Sequence, residues 1–239
     1  MKTKKDFLEY GVCLFSNLFS EQILNSCLND LLKFDNQSAI ANGDYIQDSY
    51  NGEISLKYFQ YVNSYIRSFD RLYSSRLLSI ASELLDQEVY FTSMGVHNKA
   101  PMVGTITPPH QDNFYSCRTP PDFVTAYIPL LPMSVSNGGI QYALGSHKNE
   151  VFEHESSTVP GFSSGISESC LSQYEIYKPV LNVGDIVFHH GNLIHFANKN
   201  ESNQHRYAVA IGIFGDKAIE DKNMRSKYLE NLRINRGKS

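Results

Sequence analysis

Cysteine is scarce in this chain, and the four cysteines present are scattered. They occupy positions 13, 27, 117 and 170, and no two of them form a CxxC pair. Structural zinc sites and small secreted disulfide scaffolds both need closely spaced cysteines. The sequence therefore argues against both classes, and we expect reduced thiols in a cytoplasmic protein.

The chain also lacks long apolar runs and any concentration of positive charge. No stretch approaches the roughly 20 apolar residues of a membrane-spanning helix, and the opening MKTKKDFLEYG is not followed by the apolar core of a signal peptide. The 21 lysines and arginines are scattered, and the net charge is −4. Because nucleic acids and anionic membranes select for a basic face, we expect neither as a partner.

The amount of apolar sequence sets the number of domains. A chain of 239 residues, 41% of them hydrophobic, can bury one substantial core but is short for two full domains. We therefore predict one domain over residues 1–239. Helical spacing of apolar residues predicts helices over 20–33, 59–73 and 77–85, whereas 34–54 is rich in turn-forming residues and predicts a long surface loop.

The character of the sequence changes after residue 88. Short β-prone runs such as VYFTSM, VGTIT and FVTAYIPLL alternate with Pro, Gly and Asn. Residues 148–177 lack strand alternation and predict a long insertion, and the charged tail from 216 predicts a solvated helix. Helices followed by many strands indicate an α+β fold with an antiparallel sandwich or barrel.

PPHQD contains the single His-x-Asp of the chain. In an extended segment His110 and Asp112 project to the same side, so both can reach one metal ion. Two imidazoles and one carboxylate on one face of an octahedron leave positions open for substrate and dioxygen, as iron(II) oxygenation requires. A lone His-x-Asp is more often a hydrogen-bonded pair in a loop, so a second histidine is needed to support a metal site.

The downstream segment GDIVFHHGNLIHFANKNESNQHRYAVAIGIF supplies further polar residues. His195 begins one predicted strand and Arg206 begins another. Arg206 shares a strand face with Ala208, Ala210 and Gly212, because side chains alternate. These small neighbours leave room for a ligand, and a guanidinium is suited to bidentate capture of a carboxylate. A structural ion pair between Arg206 and an aspartate is the alternative.

Taken in order, these motifs resemble the phytanoyl-CoA dioxygenase family of iron(II)/2-oxoglutarate oxygenases. The resemblance is carried by HQD at 110–112, NGGIQYALGSHK at 137–148 and GDIVFHHGNLIH at 184–195, followed by Arg206. It is strong over residues 94–214, and the opening FLEYGVCLFSNLFSEQI is also similar. Several ordered motifs are more specific than any one of them alone.

This resemblance implies both a fold and a reaction. The fold is a double-stranded β-helix, the jelly roll of cupin-like proteins, over about 88–214, with N-terminal helices packed against one sheet. The reaction uses iron(II), dioxygen and 2-oxoglutarate to hydroxylate an unactivated C–H bond of a small molecule, with release of succinate and carbon dioxide. Because the Asp112 carboxylate is retained, no ligand position is freed for a halide. Desaturation and ring formation stay open, as do the substrate and the oligomeric state.

The resemblance also implies roles for individual residues. His110, Asp112 and His195 would bind iron, and Arg206 would bind the distal carboxylate of 2-oxoglutarate. Tyr127 stands where the family often has an aromatic residue beside this cosubstrate. Lys57 resembles a basic residue that some members place near the cosubstrate, although the alignment there is loose and favours a solvated lysine. Candidate substrate contacts follow the His-x-Asp directly: Asn113, Tyr115 and Arg118.

The sequence departs from the family pattern at two positions. Ala197 stands where many members have a serine, so one hydrogen bond to the cosubstrate is either missing or supplied by another residue. Leu144 replaces the proline of the usual PGSH. His189 and His190 lie close to His195, and we expect both to pack or hydrogen-bond outside the ligand set.

Two other classes of protein are compatible with these residues. A cupin-like isomerase or other metalloenzyme could use the same His-x-Asp and distal histidine with another metal, and it would have no use for Arg206 or 2-oxoglutarate. A jelly-roll binding module would use the histidines only for packing. Metal content and 2-oxoglutarate turnover distinguish these classes.

Overall fold

The computed structural model describes residues 1–50, 53–102, 105–157, 159 and 161–236. Helices flank a β-rich body. The helices are α1 (Lys4–Tyr10), α2 (Glu21–Lys33), α3 (Gln37–Ala41), α4 (Val62–Tyr65), α5 (Ser75–Leu85), α6 (Asp112–Ser116) and α7 (Lys222–Arg236). The strands are β1 (Val12–Phe15), β2 (Tyr45–Tyr50), β3 (Glu53–Gln60), β4 (Val89–Lys99), β5 (Thr107–His110), β6 (Arg118–Thr119), β7 (Phe123–Pro129), β8 (Gln141–Ala143), β9 (Glu155–Ser156), β10 (Ser164–Gly165), β11 (Ile176–Tyr177), β12 (Ile186–His190), β13 (His195–Ala197), β14 (Arg206–Gly215) and β15 (Ile219–Glu220).

Two antiparallel sheets form the body of the protein. The larger sheet has the strand order β1-β12-β7-β14-β4-β3-β2, and the smaller has the order β11-β8-β13-β5. Side chains from the two sheets pack into one apolar cluster, which includes Tyr127 and Val187 of the larger sheet and Tyr142 of the smaller one. The two sheets therefore enclose a common interior, and helices are left to cover the outer face.

Strand β14 shows how the sequence divides the two faces of the larger sheet. Tyr207, Val209 and Ile211 belong to the apolar cluster under the helices, while Ala208 belongs to the cluster between the sheets. Arg206 therefore faces the interior with the small residues, as the predicted alternation requires. This face of β14 has space beside the guanidinium because its other side chains are short.

The N-terminal helices pack on the outer face of the larger sheet, as predicted. In α2 the buried positions are Leu24, Cys27 and Leu31, which recur at helical spacing. Helix α5 begins after Ser74, whose side chain accepts a hydrogen bond from the backbone N–H of Leu77 and caps the helix. The α+β prediction is therefore confirmed.

The predicted surface loop over 34–54 is wrong. This segment contains α3, β2 and the start of β3, and β3 pairs with β4 at Tyr58 and His97. Turn-forming residues misled the prediction because β2 lies at the edge of the sheet, where polar side chains face outwards. Phe59 belongs to β3 rather than to a helix, and the predicted helix that follows is broken into α4 and a 3-10 turn over Arg67–Leu72.

The strands predicted after residue 88 are present in the larger and smaller sheets. The VGTIT run is the exception: Thr107 begins β5, Thr105 and Ile106 lie outside any strand, and residues 103 and 104 lie outside the described residues. The predicted insertion at 148–177 contains β9, β10, β11 and a 3-10 turn at Glu168–Gln173. The tail forms α7, as expected. In the described part of the chain, no helix is long and apolar enough to cross a membrane.

Candidate active site

Strand pairing in the smaller sheet brings two distant histidines together. His110 at the end of β5 lies directly opposite His195 at the start of β13, and the ring centroids are 4.1 Å apart. Asp112 begins α6 two residues after His110, so its carboxylate returns to the same side. One ligand atom from each of the three residues lies within 4.8 Å of the others.

The hydrogen bonds of the two histidines fix which ring nitrogen faces the centre. The Nδ1 atom of His110 lies 2.8 Å from the Pro108 carbonyl oxygen, and Nδ1 of His195 lies 3.0 Å from that of Leu193. A carbonyl accepts only from N–H, so each Nδ1 carries the proton and each Nε2 presents a lone pair. These Nε2 atoms lie 3.8 Å (His110) and 3.6 Å (His195) from Oδ1 of Asp112.

The second carboxylate oxygen of Asp112 is held by the larger sheet. The Thr125 hydroxyl donates to Oδ2 at 2.6 Å, and Nε2 of His189 lies 3.3 Å from the same atom. The other ring nitrogen of His189 lies 3.2 Å from the Tyr142 hydroxyl. Since Oδ2 is occupied, Oδ1 is the oxygen left to face the two imidazoles.

Electrostatics keep the three groups in their metal-binding protonation states. Burial opposes ionisation of Asp112, but the nearby His195 and His189 outweigh it and lower the pKa of the carboxyl group. Burial lowers the pKa of His110 and holds that of His195 well below its usual range. A carboxylate and two neutral imidazoles with converging lone pairs form the donor set of non-haem iron(II) sites. The residues present therefore fit an iron(II) ion.

The candidate ligands open into a cavity of about 370 Å³, at the lower end of the range for small-molecule sites. Arg206 lies on its wall, and its Nη1 donates to the Tyr127 hydroxyl at 2.6 Å. The Nε atom of Arg206 is buried and has no hydrogen-bond partner among the described residues. An unpaired N–H of a buried guanidinium favours an anionic ligand in this cavity.

Lys57 also lines this cavity, and the expectation of a solvated lysine is wrong. The side chain is buried because it projects from β3, which lies between β2 and β4 in the larger sheet. Its amine donates to the Thr105 hydroxyl and lies 3.9 Å from Oδ2 of Asp48. Burial lowers the pKa of Lys57, while the Asp48 charge opposes this shift.

The three candidate substrate contacts fall in two places. Tyr115 lines the cavity of the candidate ligands, and its hydroxyl donates to the Ser164 carbonyl oxygen at 2.7 Å. Asn113 and Arg118 line a neighbouring cavity instead. The Asn113 side-chain amide donates to the Arg118 carbonyl oxygen and accepts from the Arg118 N–H. The Arg118 guanidinium lies over the Phe214 ring. The substrate-contact hypothesis therefore rests on Tyr115.

Sequence reasoning missed several residues that shape the site. Thr125 gave no signal beyond being a polar residue inside a β-prone run. Gln111 lies between two candidate ligands and points the opposite way, as strand alternation predicts. Its side chain donates to the Asn192 carbonyl and accepts from the Phe152 N–H, both at 2.7 Å. These bonds attach the insertion to the histidine-bearing strands.

Two further wall residues, Lys99 and His97, come from β4. His97 is packed against the Tyr58 ring, with the centroids 4.5 Å apart. Burial lowers the pKa of His97 to about 3, so it is neutral at physiological pH. Their positions follow from the pairing of β4 with β3 and β14, which the sequence does not specify.

Comparisons with known proteins agree on one family. The family model of phytanoyl-CoA dioxygenase (PhyH) matches residues 7–208. A probable alpha-ketoglutarate-dependent hypophosphite dioxygenase of Stutzerimonas stutzeri is 25% identical over 219 residues, or 87% of this chain and 76% of that protein. A phytanoyl-CoA dioxygenase of Arabidopsis thaliana is 28% identical over 145 residues, or 60% of this chain and 51% of that protein. The chain thus aligns with about half of the plant relative.

Solved structures with low sequence identity share the fold. AviO1 of Streptomyces viridochromogenes superposes with a TM-score of 0.72 at 16% identity, covering 90% of this chain and 95% of that one. EctD from S. alaskensis with 2-oxoglutarate and 5-hydroxyectoine gives 0.72 at 17% identity, covering 89% of this chain and 74% of that one. The predicted double-stranded β-helix is confirmed by this likeness. Since the matching family model spans well over half of the residues, the chain belongs to the phytanoyl-CoA dioxygenase family.

Proposed function

We propose that this protein is an iron(II)- and 2-oxoglutarate-dependent oxygenase that hydroxylates an unactivated C–H bond of a small-molecule metabolite. The observation that carries this proposal is one cavity that holds both the His110, Asp112 and His195 cluster and the buried Arg206. Relatives named for alpha-ketoglutarate dependence support the same cofactors. When bound, iron and 2-oxoglutarate would supply the oxidising chemistry with dioxygen, with release of succinate and carbon dioxide.

In this proposal the protein holds iron through Nε2 of His110, Nε2 of His195 and Oδ1 of Asp112. The backbone carbonyls behind the two Nδ1 atoms keep both rings in the required tautomer. Thr125 and His189 hold the Asp112 carboxylate in place through its other oxygen. No side chain needs to change its protonation state before metal binding, which limits the cost of assembling the site.

Arg206 binds the distal carboxylate of 2-oxoglutarate, and the Tyr127 hydroxyl positions the guanidinium for this role. The interior location makes the ion pair stronger than on the surface, because water does not screen it. Lys57 lies on the same cavity wall and adds positive charge, although Asp48 offsets part of it.

The substrate occupies the part of the cavity near Tyr115, whose ring packs edge-on to His110. Apolar side chains such as Phe162 also line this part, and they exclude water from the reacting centre. The names of relatives refer to hypophosphite, phytanoyl-CoA and 1-deoxypentalenic acid, which are chemically unlike one another. The proposal therefore names the substrate only as a small molecule, which reacts with dioxygen.

Anaerobic titration of the metal-free protein with iron(II) and then 2-oxoglutarate tests this function. We expect a weak visible charge-transfer band, which 2-oxoglutarate chelation of iron produces. His110→Ala abolishes iron binding, and Arg206→Met keeps iron but weakens 2-oxoglutarate binding. Matched controls are His205→Ala, which removes a histidine that is bonded to Asn98, and Arg76→Met on the exposed side of α5.

The two other protein classes predict different results in the same titration. Bound metal without a 2-oxoglutarate band would reject the oxygenase and favour a cupin-like metalloenzyme. Absence of specific metal binding would favour a non-catalytic binding module. Succinate formation that depends on His110 would exclude both.

A further inference from the structure

Two buried basic side chains face each other in the site cavity. Lys99 at the end of β4 lies directly opposite Arg206 at the start of β14 in the sheet register. Directly paired residues of antiparallel strands project to the same face. Lys99 is only 4% exposed and Arg206 only 3% exposed, and both line the cavity of the candidate iron ligands.

Neither basic side chain has an acidic partner among the residues that the structure describes. The Lys99 amine donates to the backbone carbonyls of Thr105 at 2.5 Å and Ala197 at 3.4 Å. Asp48, the acid whose charge acts on Lys99, lies 3.9 Å from the amine of Lys57 instead. A buried guanidinium without a counterion is costly unless a ligand compensates its charge, and a second positive charge on the adjacent amine is costly for the same reason unless an anion is bound. This arrangement therefore favours an anion between Lys99 and Arg206.

Lys99 lies beside β13, the strand that carries the candidate iron ligand His195. Ala197 lies two residues after His195 on β13 and offers no side-chain donor. The Lys99 amine lies against the carbonyl of Ala197, and Arg206 reaches the same wall from β14. An anion held in this part of the cavity would lie within reach of both the Lys99 amine and the Arg206 guanidinium.

We propose that Lys99 is a second cosubstrate-binding residue, which contacts the distal carboxylate of 2-oxoglutarate together with Arg206 and replaces the donor that Ala197 lacks. This inference rests on the proposed function. It assigns Lys99 to the cosubstrate and not to the substrate. Replacing Lys99 should therefore weaken binding only of a 2-oxo acid that carries the distal carboxylate.

The charge state of Lys99 makes this role measurable. Burial, reinforced by the Arg206 charge, lowers the pKa of Lys99 to about 6. The other groups that face it are Lys57, which lowers this pKa further, and Asp48, which raises it, while His97 remains neutral. A bound carboxylate favours the ammonium and raises the pKa. Binding above pH 6 therefore takes up a proton, and affinity for 2-oxoglutarate falls as the pH rises.

The test compares two 2-oxo acids by anaerobic calorimetry of the iron(II)-loaded protein. 2-Oxopentanoate has the carbon chain of 2-oxoglutarate but a methyl group in place of the distal carboxylate. Lys99→Met removes the amine and keeps the buried stem. We expect this variant to bind 2-oxoglutarate about 10–100-fold more weakly, the range for losing a hydrogen bond between charged groups, and to bind 2-oxopentanoate as the wild type does.

Proton uptake and rescue provide two independent readouts. At pH 7.5, calorimetry in buffers of different ionisation enthalpy should detect uptake of up to one proton with 2-oxoglutarate and none with 2-oxopentanoate. Ala197→Ser in the Lys99→Met background should recover part of the lost affinity by restoring a donor. Lys99→Gln serves the same comparison where the Met variant does not fold, as judged by its iron binding and thermal unfolding.

Three results would overturn the inference. These are unchanged 2-oxoglutarate affinity in the Lys99 variants, an equal loss of affinity for both 2-oxo acids, or wild-type proton uptake that is the same with 2-oxoglutarate and 2-oxopentanoate. In each case wild-type binding of 2-oxoglutarate leaves the proposed function intact. If the wild type itself binds no 2-oxoglutarate, the proposed function fails, and the inference about Lys99 fails with it.

Discussion

Replacing Thr125 with valine should weaken iron binding without unfolding the protein. The two side chains have nearly the same shape, and the Thr125 hydroxyl makes one short hydrogen bond, at 2.6 Å, to Oδ2 of Asp112. After the change His189 alone contacts this oxygen, at 3.3 Å. A hydrogen bond to a charged group contributes about 1.5–3 kcal/mol, and about 1.4 kcal/mol corresponds to tenfold in affinity. We therefore expect iron(II) affinity to fall about 10–100-fold.

Anaerobic competition with a chelator of known iron affinity measures this effect. Thr92→Val is the matched control, because it makes the same chemical change at an exposed position on β4. Thermal unfolding of the metal-free proteins checks that both variants fold. Iron affinity within threefold of wild type in a folded Thr125→Val protein would refute the reasoning, since it would mean that Asp112 keeps its orientation without this hydrogen bond.

Two further predictions concern stability. Phe59 is fully buried and its ring lies 5.4 Å from that of Phe34, so Phe59→Ala should lower the free energy of unfolding by about 3–5 kcal/mol. Chemical denaturation measures this loss, and Leu32→Ala at an exposed position of α2 is the control that should not show it. An equal loss of stability in both variants would contradict this prediction. Burial lowers the pKa of His154 to about 4 and that of His190 to about 3, while unfolded histidine titrates near about 6.5. Because the unfolded state then binds more protons, stability should be lost as pH falls from about 6.5 towards 4, by about 1–2 kcal/mol per histidine at pH 5. Denaturation of metal-free wild type and His154→Gln at pH 7 and 5 measures this, and an identical pH response in both would exclude a contribution from His154.

Local sequence patterns predicted the elements that depend on local forces. The apolar stripes of α2 and α5 are compatible with only one buried face, so both helices were predicted within a few residues. The alternation along β14 likewise predicted that Arg206 shares a face with small residues. The segment 34–54 was mispredicted because β2 and β3 are stabilised by pairing with each other and with β4, and an edge strand with polar side chains resembles a loop in sequence. The prediction of one domain over 1–239 stays a prediction.

Local motifs were enough to predict the fold class and the candidate iron ligands, because the ordered motifs around His110, His195 and Arg206 together carry a specific family resemblance. The residues that surround the candidate ligands could not be predicted from local motifs, because they come from strands that are distant in the sequence. Thr125 and His189 reach Asp112 only because β7 and β12 are neighbours in the larger sheet. Lys99 meets Arg206 through the register of β4 with β14. Contacts between distant strands depend on which strands pair and in which register, and the whole chain sets this pairing rather than any short motif.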